Sequence, residues 1–314
     1  MGGERRFTAS LQRFFGGAEH VTIGIGDDAA VVQNRGAASV VCCDPVIAGV
    51  HFTLETDLAA VGAKVVNRNL SDLAAMGAVP DWLLLSLVLP QGFAPKRLSA
   101  LLRGVRRAAR AAGAPVVGGD VATTSGPLVV TVSAGGHLPH RALRRDGVRP
   151  GDTLHTSGPL GGSRLGHHLR FRPALREGVW LARQPAVHAA IDVSDGLLLD
   201  LATMLAASGG LGAELDATAI PIRRAALTLA GGDRERALRH ALGDGEDHVL
   251  LWSQAHGRAL PRGGPLSERA RRPIGRVLAT PGLWLVHPGR DRRERLSPVG
   301  FEHAVGPARR RPAR

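Results

Sequence analysis

The sequence predicts a mixed α/β (α+β) fold in two domains, and three observations carry that expectation. Short apolar runs alternate with longer segments whose apolar residues recur at helical spacing. The chain has 314 residues, enough for two domains that each bury a core. A charged stretch marked by proline and glycine, Pro139 to Asp152, divides the pattern.

In the first half, Val40 to Cys43 reads as a short buried strand. Leu58 to Met76 reads as a long helix with Gly77 as its stop signal. Trp82 to Leu89 is a second strand, closed by Pro90. Pro95 to Ala112 is a basic amphipathic helix ending at Gly113. Pro115 to Gly119 and Leu128 to Ser133 are two more strands around a turn. In the second half, strand Thr153 to Thr156 leads into a glycine turn, Gly158 to Gly162, followed by helical sequence. Leu197 to Ala207 is a helix, Gly212 to Leu215 and Val249 to Trp252 are strands, and Arg258 to Arg272 is a loop. The expected units are residues 1–138, residues 139–306 and an Arg-rich, disordered tail, 307–314.

Composition narrows the function classes. Apolar residues make up 44% of the chain, as a globular protein requires. The longest strongly apolar run, Trp82 to Leu89, is strand-sized, so no membrane span is expected. Met1 to Arg6 leads into no apolar signal core. Cys42 and Cys43 are adjacent and form no disulfide framework. Together these features point to a cytoplasmic protein. The net charge is +13, and all but Lys64 and Lys96 of the 40 basic residues are arginine. Such a charge speaks to solubility rather than fold. The tail Arg309 to Arg314 has no interleaved aromatics, which disfavours a stacking platform, and nucleic acid is not expected as a partner.

Against this basic background six aspartates stand beside apolar or glycine-rich runs: Asp28, Asp44, Asp72, Asp120, Asp192 and Asp195. Carboxylates at strand ends suit hard cations such as Mg²⁺, which usually arrive with phosphates. The first motif is Gly24-Ile25-Gly26-Asp27-Asp28, where glycines permit a tight turn that aims carboxylates into a cleft; a plain Asx turn is the alternative. Asp44 follows Cys42-Cys43, with His51 shortly after; His51 also suits a structural role. Asn69 and Asp72 share a helix face at i, i+3 within a run of Leu, Ala and Met. Gly118-Gly119-Asp120 ends a strand without the Gly-Lys-Ser/Thr of a P-loop. Asp192-Val193-Ser194-Asp195-Gly196 precedes a helix, where Ser194 or Asp195 also suits an N-cap. Gly245-Glu246-Asp247-His248 enters a strand, and its acids suit a cation or a metal.

In order and spacing, Gly26-Asp27-Asp28, the run Asn69 to Ala78, Gly118-Gly119-Asp120 and Asp192 to Gly196 resemble the thiamine-monophosphate kinase family, within the group similar to aminoimidazole ribonucleotide synthetase. The resemblance spans about Gly24 to Phe301. It implies phosphorylation of thiamine monophosphate to thiamine diphosphate by ATP, through direct in-line transfer assisted by several Mg²⁺ ions. No covalent or general-base catalytic residue is expected. By motif position the six aspartates are the implied metal ligands. Gly119, Asp120, Arg145 and Ser194 are the implied ATP contacts, and His51, Glu246 and Phe301 the implied substrate contacts. The implied architecture is an N-terminal domain that binds ATP and Mg²⁺ and pairs its sheet across a homodimer, followed by a C-terminal α+β domain. The chain departs from the family pattern at Cys42-Cys43, where Ser or Thr is usual, at His248 and Val249, where Tyr and Glu are usual, and in a short stretch between Gly162 and His188. A non-catalytic or sister-activity nucleotide-binding relative is the alternative.

Overall fold

The computed structural model describes residues 11, 13–17, 19–23, 31–33, 38–289 and 292–301. Residues 24–30, which carry Asp28, and the Arg-rich tail lie outside the described residues. A small antiparallel pair, β1 (Val21–Ile23) and β2 (Val31–Val32), precedes the first large sheet.

That sheet has four strands: β3 (Ser39–Ile47), β4 (Val79–Pro90), β5 (Val116–Thr124) and β6 (Val129–His137), in the order β3-β6-β4-β5. β4 and β5 are parallel; β6 runs antiparallel to both β3 and β4. Helices α1 (Leu58–Ala75) and α2 (Pro95–Ala112) pack against each other. Their backbones meet at two glycines. A Cβ on Gly62 would lie 2.1 Å from the Leu101 carbonyl oxygen, and one on Gly104 would lie 1.9 Å from that of Ala59. Only glycine permits this approach.

The second sheet has seven strands: β7 (Thr153–Thr156), β8 (Val187–Asp192), β9 (Gly212–Asp216), β10 (Leu250–Gln254), β11 (Gly275–Leu278), β12 (Gly282–His287) and β13 (Arg292–Leu296). Their order is β13-β12-β9-β11-β7-β10-β8, and only β9 and β12 pair in parallel. Four helices accompany it: α3 (Leu175–Ala182), α4 (Leu197–Ala207), α5 (Arg224–Leu229) and α6 (Arg234–Gly243). Each sheet has its own apolar core, and α1 lies between them, touching β3 and β6 on one side and α3 and β8 on the other. This is the mixed α/β architecture the alternating pattern predicts.

Three expectations need correction. β3 is longer than Val40 to Cys43 and is not buried: Val46 alone is fully covered and Val41 is 68% exposed. Successive side chains point to opposite faces, so its apolar residues alternate between the helix layer and the sheet's other, more open face. β5 runs on to Thr124 and pairs with β4 rather than with β6. After Gly162 the chain forms two 3₁₀ turns, Ser163–Leu165 and His167–Leu169, before the short helix α3.

Candidate active site

Helix α1 carries the centre of the site. Asn69 is completely buried, and its side chain docks β3 onto the helix. Its Oδ1 accepts the Asp44 backbone N–H at 2.9 Å, while Nδ2 donates to the Val65 carbonyl at 2.9 Å and more weakly to that of Asp44 at 3.3 Å. This fixes Asp44 over α1, where Asp72 lies one turn beyond Asn69. Burial, then the charges of Asp192 and Asp44, push the Asp72 carboxyl up to about 7. Asp72 therefore feels the charge of two other predicted metal ligands.

Asp192 ends β8, only 3% exposed. Burial acts to raise its pKa, but hydrogen bonds from His248 and Ser71, with the Arg145 charge, outweigh it and hold the carboxyl below its ordinary range. Ser71 Oγ donates to Asp192 Oδ2 at 2.7 Å, and His248 Nδ1 lies 3.4 Å from the same oxygen.

On the other side of this acid group is a cationic pair that the sequence reading missed. Lys64 is completely buried; its Nζ donates to the His51 carbonyl at 2.7 Å and contacts Glu246 Oε1 at 2.5 Å. Burial lowers the Lys64 pKa, and Glu246 counteracts it. Arg68 bridges the two regions, 3.4 Å from Asp44 Oδ2 and 3.8 Å from Glu246 Oε1. Lys64, Arg68 and Asp72 follow one another at i, i+4, i+8, a single stripe along α1. That spacing, in a chain with only two lysines, was the available signal.

His51, Ser194, Asp195, Glu246 and Phe301 line one cleft together with Arg68 and His248, so all three predicted substrate contacts converge. Backbone bonds hold its walls together: Glu246 N–H donates to the Ser194 carbonyl at 2.7 Å and Phe301 N–H to the Asp195 carbonyl at 2.9 Å. Glu246 has φ +62, a left-handed conformation uncommon for a residue other than glycine. The Ile47 N–H donates to His51 Nδ1 at 3.1 Å, fixing the ring.

Other predicted residues sit apart. Asp120 is exposed on β5, opposite Ser86, and its carboxylate has no hydrogen bond or ion pair among the described residues. Gly119 precedes it with φ +151, and a Cβ there would lie 1.8 Å from the Leu85 carbonyl oxygen, so β4 alone accounts for the glycine. Arg145 is exposed, its charge felt at Asp192. Asp28 lies outside the described residues. Neither Ser194 nor Asp195 caps α4. Gly196 is its N-cap, and Asp200 reaches back to accept the N–H groups of Asp195 and Gly196 at 3.0 and 3.1 Å. Asp247 is an anchor: it accepts the Gly161 N–H at 2.7 Å and pairs with Arg223.

Among the described residues no three His, Cys, Asp or Glu side chains stand close enough to cage a metal. The open group of Asp44, Asp72 and Asp192 still fits Mg²⁺, which binds through one or two carboxylates and takes its other oxygens from water and substrate phosphates. Cys42 turns toward this group, donating to the Asn69 carbonyl at 3.3 Å. Burial, then Asp72 and Asp44, raise its pKa far above the ordinary thiol range, so it stays a neutral thiol. Cys43, the next residue of the strand, is exposed.

The chain matches the AIR synthase related protein N-terminal domain over residues 26–138 and the corresponding C-terminal domain over residues 126–251. It is thus an AIR synthase related protein. It is 38% identical to the thiamine-monophosphate kinase of Rhodopirellula baltica, over 96% of this chain and 97% of that one. The crystal structure of thiamine-monophosphate kinase from Stenotrophomonas maltophilia superposes with a TM-score of 0.75 at 33% identity, covering 88% of this chain and 94% of that one. AaThiL complexed with AMPPCP and TMP superposes with a TM-score of 0.74 at 25% identity, covering 95% of each chain. Within the AIR synthase related class, the chain belongs to the thiamine-monophosphate kinase family.

Proposed function

We propose that this protein transfers the γ-phosphoryl group of ATP directly to thiamine monophosphate, giving thiamine diphosphate. One observation carries the reading: the α1 stripe of Lys64, Arg68 and Asp72 joins the Asp44–Asp72–Asp192 group to the cleft of His51, Glu246 and Phe301. A relative of this chain is complexed with AMPPCP and TMP, which supports the same pair of ligands here.

The acceptor is a phosphate monoester whose second pKa is about 6, so its oxygen is already anionic near neutrality. No general base is required. The obstacle is the approach of two polyanions. Asp44, Asp72, Asp192 and Asp195, with Asp28 and Asp120, would hold Mg²⁺. When bound, the metal supplies charge neutralisation across the transferring phosphoryl group. Arg68 lies between the acid group and the cleft, placed to meet phosphate charge, and Arg145 adds positive charge beside Asp192. Glu246, held by Lys64, presents a carboxylate suited to a cationic heterocycle, with His51 and Phe301 as flanking rings. Gly119, Asp120, Arg145 and Ser194 would contact ATP. The N-terminal unit, 1–138, would dimerise through the open face of its sheet, where Val41 is 68% exposed. Transfer of a chiral γ-thiophosphoryl group checks the direct step. Inversion at phosphorus is expected, and retention would mean a phosphoenzyme.

A further inference from the structure

A second cavity, of about 930 Å³, lies behind the active-site cleft, between α1, α2 and the segment Leu169 to Glu177. Its size is within the range of about 300–1,000 Å³ usual for small-molecule sites. Its rim carries four exposed arginines: Arg107 on α2, and Arg170, Arg172 and Arg176 on the facing segment. Among the described residues Arg107, Arg172 and Arg176 have no hydrogen-bond or ion-pair partner, and Arg170 only donates to the Gly166 carbonyl at 3.3 Å. One acid, Glu177, lies in the same wall. Four guanidinium groups, largely without internal partners, around one concavity repel one another unless an anion joins them.

The interior differs from the rim. Ala108, Leu70 and the ring of Phe171 make it apolar. Phe171 stacks on His248, with ring centroids 4.2 Å apart and planes 18° apart. His248 is 4% exposed and belongs to the walls of both this cavity and the active-site cleft. Its Nδ1 faces Asp192, while its buried Nε2 has no hydrogen-bond partner among the described residues.

We infer that this cavity is a second ligand site, which takes a phosphorylated small molecule with a flat aromatic body. The phosphate meets the arginine rim, the aromatic body enters the apolar interior beside Phe171, and a polar atom of the ligand satisfies His248 Nε2. A long nucleic acid fits less well, because the apolar, concave interior offers nothing to a continuous backbone.

Flavin mononucleotide is a suitable probe: it is fluorescent, aromatic and a phosphate monoester, and riboflavin is the same body without the phosphate. Fluorescence titration of the full chain is expected to show saturable flavin mononucleotide binding and, for riboflavin, affinity at least about tenfold weaker, since charge-assisted bonds to the phosphate are lost. The double variant Arg172→Glu/Arg176→Glu is expected to weaken binding at least about tenfold, with its melting temperature and kinase turnover unchanged. Arg107→Glu, on a different element, is expected to act in the same direction and guards against a folding defect in the double variant. Absence of binding, equal binding of riboflavin, undiminished binding by the arginine variants, or displacement of the probe by Mg–ATP would each overturn the inference. Turnover by the unliganded arginine variants reports separately on the proposed kinase reaction.

Discussion

Ser71, on the helix of the N-terminal half, donates a 2.7 Å hydrogen bond to Asp192, at the end of a strand of the C-terminal half. The hydroxyl is buried and its acceptor is a carboxylate held below its ordinary pKa. Hydrogen bonds to charged groups contribute about 1.5–3 kcal/mol. Ser71→Ala is therefore expected to lower unfolding free energy by about 2 kcal/mol in urea titration. A loss within about 0.5 kcal/mol, as for a surface substitution, would show that the bond does not join the halves.

Lys64 should behave as half of a buried pair. Lys64→Met leaves Glu246 without its main partner and is expected to cost about 3 kcal/mol and to raise the KM for the substrate. The double variant Lys64→Met/Glu246→Gln should recover most of the stability and none of the KM. Recovery of both would place Glu246 outside the substrate site.

Asp72 sets a pH dependence. Burial and neighbouring carboxylates push it up to about 7, so it binds a proton as pH falls below neutrality. A metal needs the deprotonated carboxylate. The Mg²⁺ concentration for half-maximal activity is expected to rise up to about tenfold between pH 7 and pH 6 and to level off above pH 8. A flat profile would remove Asp72 from the metal site.

His155 predicts a loss of acid stability away from the site. It is 3% exposed, stacked on Trp252 with centroids 5.3 Å apart, and burial lowers its pKa to about 4. The unfolded chain takes up the proton near pH 6.5 and the folded chain only near pH 4. This contribution is therefore present above pH 6.5, falls as pH drops through that window, and is gone below about pH 4. Its size is about 3 kcal/mol. His155→Phe should flatten stability against pH between 6.5 and 4. An unchanged slope would mean that the ring is not desolvated.

What the sequence made legible follows from local punctuation. Pro95 and Gly113 bracket α2, Gly77 stops α1, and the spacing around Leu197–Ala207 marks α4; all three helices form where their patterns predict. The convergence of His51, Glu246 and Phe301 was reachable only through the motif resemblance, because their contacts span most of the chain. The exposure of β3 was not legible: an apolar run reads alike on a sheet with one open face and in a core covered on both. Nor was the role of Asp200, whose carboxylate folds back to the N–H groups of Asp195 and Gly196 where Ser194 or Asp195 had the better sequence claim to a cap. The Cys42-Cys43 pair looked like one feature, yet strand alternation separates them. Cys42 faces the acid group and Cys43 faces away, so under the proposed metal role Cys42 is the position at which a hydroxyl would bear on binding.

The most direct test is thiamine diphosphate formation from thiamine monophosphate, ATP and Mg²⁺ by the purified chain, alongside Asp72→Asn. Product is expected from the parent protein, with a loss of at least about 100-fold in the variant and no loss of folding stability, because Asn removes a charge that burial and Asp192 disfavour. Absence of product from a parent protein that still binds ATP, or full turnover in Asp72→Asn, would contradict it.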